Sequence, residues 1–155
     1  MKKVGSTLVV TMGFLGWSGV CVAQSESDLC KKPCTVTVSV TKRGDGYKVT
    51  LSPSDKLRLS AKAAHRVVWN FKNESGKEMD LGISKFTPAP PDGKPDPDTD
   101  ADPLDGAPRH KKVAHGKSDS VQATVKKDAK PWRTYRYDIL DGTTVLEDPE
   151  IEIRP

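Results

Sequence analysis

Three groups of side chains in this sequence have the chemistry to hold a metal ion. His110 and His115 lie five residues apart, with His65 and the thioether of Met79 elsewhere in the chain. Neutral imidazole with a soft sulfur suits copper, and imidazole alone suits zinc. Asp96, Asp98, Asp100 and Asp102 recur at every second residue, the spacing with which carboxylates begin to wrap a calcium ion. Cys30 and Cys34 form the third group, with Lys31 and Lys32 between them to favour a thiolate.

Each pattern is incomplete. The histidine spacing matches no standard zinc template, and the plain alternative is three surface or strand-end residues. The aspartate run has Ala101 where a calcium loop turns on glycine, and no Glu stands at the twelfth position from Asp96 or Asp98. Pro97 and Pro103 further restrict wrapping, so an unstructured acidic loop competes with a calcium site. For the cysteines, a disulfide is the simplest reading in an oxidising compartment, against a redox-active or copper-binding pair. The second reading lacks the strand-turn-helix setting of redox motifs.

No Gly-x-Ser-x-Gly, His-Glu-x-x-His or phosphate-cradling glycine loop is present. Glu147, Asp148, Glu150 and Glu152 offer paired carboxylates, but Ile151 and Ile153 should turn inwards and leave Glu150 and Glu152 facing water. The expectation from these absences is a protein that is not an enzyme.

The first 23 residues read as a secretory signal: Lys2 and Lys3, an apolar core from Leu8 to Gly16, then Cys21-Val22-Ala23, with cleavage before Gln24. The apolar run is short for a span, and no transmembrane segment is expected after cleavage. Lipoprotein processing at Cys21 is the lesser alternative, because Val20 occupies a position that wants Gly or Ala. The expected location is the periplasm or the exterior. Without Lys2 and Lys3 the formal charge falls from +4 to +2, too little to argue for nucleic acid. Partners are expected to be an unidentified protein or envelope component, and oligomeric state is left open.

Residues 24–33 form an N-terminal segment, and residues 34–155 a single domain. Val36, Val38 and Val40 alternate with Thr and Ser, Gly44-Asp45-Gly46 turns, and Tyr47, Val49 and Leu51 return as a hairpin. Leu57 and Leu59 begin a third strand. His65 to Phe71 places Val67, Trp69 and Phe71 on one face, and Met79, Leu81 and Ile83 follow after a polar turn. Residues 87–112 are expected to form a mobile loop, since Pro88 to Pro108 holds seven prolines and six aspartates with little to bury. Val121, Ala123 and Val125, then Tyr135, Tyr137 and Ile139, then Val145 to Arg154 complete the pattern. Seven or eight short strands at this spacing predict an all-β, antiparallel, two-sheet Greek-key sandwich.

Two segments then resemble the cupredoxin-like sandwich over roughly Val36 to Ile153. Val67-Val68-Trp69-Asn70-Phe71-Lys72-Asn73 is similar to the strand leading to that family's first copper histidine, and Tyr135-Arg136-Tyr137-Asp138-Ile139 to the strand bearing its copper cysteine. The resemblance implies the fold. It places the histidine position near Met79 or Asp80 and the cysteine position at Asp138, with no histidine or methionine after it, so the usual type 1 copper ligands are absent. Two functions follow as expectations: an exported, non-catalytic binding or structural module, or a metal-handling protein using the loop histidines or aspartates. Copper, zinc or calcium is then the possible cofactor.

Overall fold

The computed structural model describes residue 30 and residues 33–53, 56–84, 86–89, 102–106 and 109–155. Alternation of Val with Thr and Ser gives β1 (Cys34–Arg43), with Val36, Val38 and Val40 buried. Gly44, at a φ of 58°, supplies the left-handed turn into β2 (Gly46–Ser52). There follow β3 (Leu57–Ser60), β4 (Arg66–Glu74), β5 (Met79–Ile83), β6 (Thr87–Pro88), β7 (Leu104–Asp105), β8 (His110–Val113), β9 (Ser118–Val125), β10 (Arg133–Arg136), β11 (Ile139–Asp141), β12 (Thr144–Glu147) and β13 (Glu150–Arg154).

One layer runs β2-β1-β4-β9-β7. The other is made of two four-stranded sheets, β3-β13-β10-β6 and β12-β11-β5-β8, which meet at a break. At the break, Ser84 N–H donates to the Asp138 carbonyl at 2.9 Å, and the Asp138 N–H donates to Ser84 Oγ at 2.8 Å. A hydroxyl here takes a place in the ladder that a backbone carbonyl holds elsewhere. The stretches β5–β6 and β10–β11 are therefore two interrupted strands rather than four independent ones. Trp69, Phe71 and the three valines of β1 face Leu59, Leu81, Ile83, Ile139, Ile151 and Ile153 across one core. This is the expected all-β sandwich.

Four details depart from the expectation. Two pairings are parallel, β1 with β4 and β3 with β13. The chain crosses between layers after β2 without reversing, so β3 runs on and β4 returns beside β1 in the same direction. The C-terminal run is two strands, because Pro149 lacks an N–H and its carbonyl instead accepts from Tyr137 at 3.0 Å. Strand pairing also claims parts of residues 87–112: Leu104 pairs with Val125 in β9, and His110 with Gly82 in β5. Finally, Asn73, in the polar stretch expected to turn before Met79, belongs to β4. It is fully buried, its amide donating to the carbonyls of Val113 (2.6 Å) and Lys77 (2.8 Å) while its oxygen accepts from Ser75. The turn itself falls at Gly76, where φ is 90°.

Candidate functional site: a charged cleft on the open flank

Both layers end on the same flank, the first at β2 and the second at the corner between β12 and β13. Between them lies a cleft of about 460 Å³. Val36, Leu51, Leu57, Pro53 and Pro149 form its apolar walls, with the edge of Tyr137 at its floor. Its polar groups are Lys56, Arg136, Glu147, Asp148 and Glu150.

Glu150 serves two cations. Its Oε2 lies 3.4 Å from Lys56 Nζ and its Oε1 3.4 Å from Arg136 Nη2, while Lys56 also donates to Thr134 Oγ1 at 2.7 Å. One carboxylate thus neutralises half the positive charge it touches. Glu147 and Asp148, one corner away, carry no ion pair among the described residues. Among the described residues the cleft therefore combines two cations that share one carboxylate with two carboxylates outside any ion pair, over an apolar floor.

The floor is held by an aromatic chain. Tyr137 stacks on Phe86 with centroids 4.7 Å apart and meets Trp69 edge-on at 5.8 Å, and Trp69 Nε1–H donates to its hydroxyl at 3.2 Å. Burial pushes the Tyr137 phenol up to about 12, because ionising it would strand a charge in the core; the Trp69 bond pulls it down only in part. Behind Phe86 sits Arg109, its guanidinium 5.6 Å from the ring centroid. Arg109 pairs with Asp102 at 2.5 Å and donates to the carbonyls of Ser84, Leu104 and Gly106. It ties together the described ends of the segment around residues 90–101.

The structure disperses the metal candidates. His65 is buried just before β4, its Nδ1 accepting from Ser60 N–H at 3.2 Å. His115 lies past the far end of β4, its Nδ1 accepting from Gly76 N–H at 3.1 Å. The nine residues of β4 between them span about 30 Å, so one ion cannot bridge the two. His110 pairs with Gly82 and Met79 with Val113, an odd offset that puts His110 on the outer face and Met79 in the core. Asp102 is taken by Arg109, with its Oδ1 accepting from Leu104 N–H. Asp96, Asp98 and Asp100 lie outside the described residues. Among the described residues, no group of three or more His, Cys, Asp or Glu is placed to hold an ion.

Cys30 and Cys34 form a disulfide. The redox reading loses ground accordingly, since Cys34 is also buried at the start of β1. The copper positions implied by the resemblance do not meet: Asp138 faces Ser84, while Asp80 N–H donates to Asp141 Oδ1 at 2.9 Å. Asp141 also pairs with Lys77 at 3.4 Å, and Tyr47 with Asp141 pushes the Lys77 ammonium above its usual range. The cleft residues that the sequence did not single out are Lys56, Arg136 and Tyr137, with Arg109 behind them. Only the density of Glu147, Asp148 and Glu150 signalled the place.

No family model matches the chain, and no curated protein matches it. Solved structures similar to it include a multicopper oxidase from Campylobacter jejuni described as a metallo-oxidase, at 13% identity, covering 81% of this chain and 28% of that one, with a TM-score of 0.45. Another is the McoA multicopper oxidase from the hyperthermophile Aquifex aeolicus, at 13% identity, 78% of this chain, 29% of that one and a TM-score of 0.42. The chain spans under a third of the length of either. Both of these similar structures are enzymes, and the expectation of a protein that is not an enzyme does not stand against them.

Proposed function

We propose that the chain is an exported β-sandwich module that binds a small zwitterionic ligand in the flank cleft. The observation that carries this is the division of charge around Tyr137: Lys56 and Arg136 share one carboxylate, and Glu147 and Asp148 have none of the cations. A ligand carboxylate completes the hydrogen bonding of Arg136, whose planar fork suits two oxygens. A ligand ammonium sits against Glu147 and Asp148, and an apolar side group covers Leu51 and Leu57. The volume is in the range that takes such molecules. Export rests on the N-terminal sequence; among the described residues no helix is long and apolar enough to cross a membrane.

The test is a thermal-unfolding screen against free amino acids, dipeptides and betaines. Binding to the folded state raises Tm by mass action, about 2.7 kcal/mol at a hundredfold excess over Kd. The expected result is a hit whose effect disappears in Arg136→Ala. No shift with any zwitterion, or shifts unchanged in Arg136→Ala, would refute the assignment.

A further inference from the structure

Granted that the flank cleft takes a zwitterion, we propose that its ligand is a peptide of two or three residues with both ends free, and that a free amino acid is too short for it. Arg136 pairs with Glu150 and Ile139 with Glu147, and between them the Tyr137 N–H donates to the Pro149 carbonyl at 3.0 Å. One antiparallel register therefore runs through the corner between β12 and β13, and residues 147–150 lie extended beside β10 and β11. At about 3.3 Å per residue, Asp148 stands about 7 Å along the strand from the rung of Arg136 and Glu150, and Glu147 about 10 Å from it. The cations are held at that rung, since Arg136 Nη2 and Lys56 Nζ each lie 3.4 Å from the Glu150 carboxylate. Groups suited to a carboxylate and groups suited to an ammonium are thus set two to three residues apart on one strand. Their spacing, rather than their sum, selects the ligand.

An extended chain spans about 3.5 Å per residue, so the charged ends lie about 3.5 Å apart in a free amino acid, about 7 Å in a dipeptide and about 10 Å in a tripeptide. With its carboxylate at Arg136, a dipeptide brings its ammonium to Asp148 and a tripeptide brings it to Glu147. A single residue holds one end and gives up the other. The amides between the ends also have a counterpart. Among the described residues β2 is paired with β1 alone, so alternate N–H and C=O groups of its main chain point to the flank, where Leu51 and Pro53 enter the cleft wall. A sheet edge of this kind takes an extended peptide through main-chain hydrogen bonds. Leu57, which pairs with Ile151 one rung from Glu150, gives the C-terminal residue an apolar wall. A linear ω-amino acid of equal span carries the two charges but offers nothing to the edge of β2.

The experiment is a calorimetric titration of leucine, alanyl-leucine, alanyl-alanyl-leucine and ε-aminocaproate into the full chain, and of the two peptides into Asp148→Asn and Glu147→Gln. The C-terminal leucine keeps the apolar contact constant while the length changes. Expected is binding of both peptides about tenfold tighter than that of leucine or of ε-aminocaproate. Asp148→Asn should weaken the dipeptide about tenfold and the tripeptide less than about threefold, and Glu147→Gln should do the reverse. Both side chains are exposed, and an unchanged Tm checks the fold of each variant. Leucine binding as tightly as the peptides, and lost in Arg136→Ala, would overturn the length while the zwitterion reading stood. Binding of ε-aminocaproate as tight as that of alanyl-leucine would overturn the peptide. No binding by any of the four would overturn both the peptide and the zwitterion reading.

Discussion

Arg109 and Arg136 are both arginines beside a carboxylate, and they differ in what their donors reach. Arg109 is largely buried and spends its guanidinium inside the fold, on Asp102, three backbone carbonyls and the Phe86 ring. Arg136 is more than half exposed and, among the described residues, its guanidinium makes one long contact, to a carboxylate already shared with Lys56. A saturated cluster of charge is part of the framework, because losing one partner leaves buried groups unsatisfied. An unsaturated one on a cleft wall is available to a ligand. The same contrast separates Asp102, fully engaged, from Glu147 and Asp148.

The largest effect should come from breaking the saturated cluster. Arg109→Ala strands Asp102 and the carbonyls of Leu104 and Ser84, and should cost about 3 kcal/mol in chemical denaturation. Gly82→Ala comes next. A Cβ there would collide with His110 Nδ1 and lie 2.7 Å from the Arg109 carbonyl, so a loss of about 2 kcal/mol is expected from overpacking.

Tyr137→Phe is expected to cost about 1 kcal/mol at neutral pH, by removing the acceptor of Trp69 Nε1–H. It should also change the pH dependence. The folded-state pKa of Tyr137 is raised from 10.0 to about 12, so its contribution is complete below pH 10 and is lost as pH rises from 10 to 12. The wild type should lose about 2 to 3 kcal/mol over that interval, and Tyr137→Phe should lack that component. The smallest effect is predicted for Glu147→Gln combined with Asp148→Asn, within about 0.5 kcal/mol of wild type, since neither carboxylate has an ion pair among the described residues. A drop as large as that of Arg109→Ala would erase the distinction between the two clusters.

Much of the framework was legible in the chain. The unbroken alternation of Val36, Val38 and Val40, and of Val67, Trp69 and Phe71, specifies which face is buried because side chains alternate along any strand. The close spacing of Cys30 and Cys34 pointed to the bridge that the structure contains. What alternation does not specify is the neighbour. The parallel pairing of β1 with β4 depends on where the chain changes layer, and the break at Ser84 and Asp138 depends on two segments more than fifty residues apart.

The site was less legible for the same reason. Arg109 reads as one member of a basic block until Phe86 and Asp102 are brought to it, and Asn73 reads as a turn residue until Val113 arrives to accept from it. Lys56, Arg136 and Glu150 are far apart in sequence and meet only because β3, β10 and β13 are neighbours. The histidines offered the more familiar chemistry, yet His65 and His115 sit at opposite ends of β4.

The most direct test of the cleft is a calorimetric titration of one zwitterionic ligand from the unfolding screen into wild type, Arg136→Ala and Glu147→Gln/Asp148→Asn. Binding that weakens at least tenfold in both variants, with their unfolding free energies unchanged, is the predicted result. Wild-type affinity in both variants would contradict the account, and would place the ligand elsewhere on the molecule.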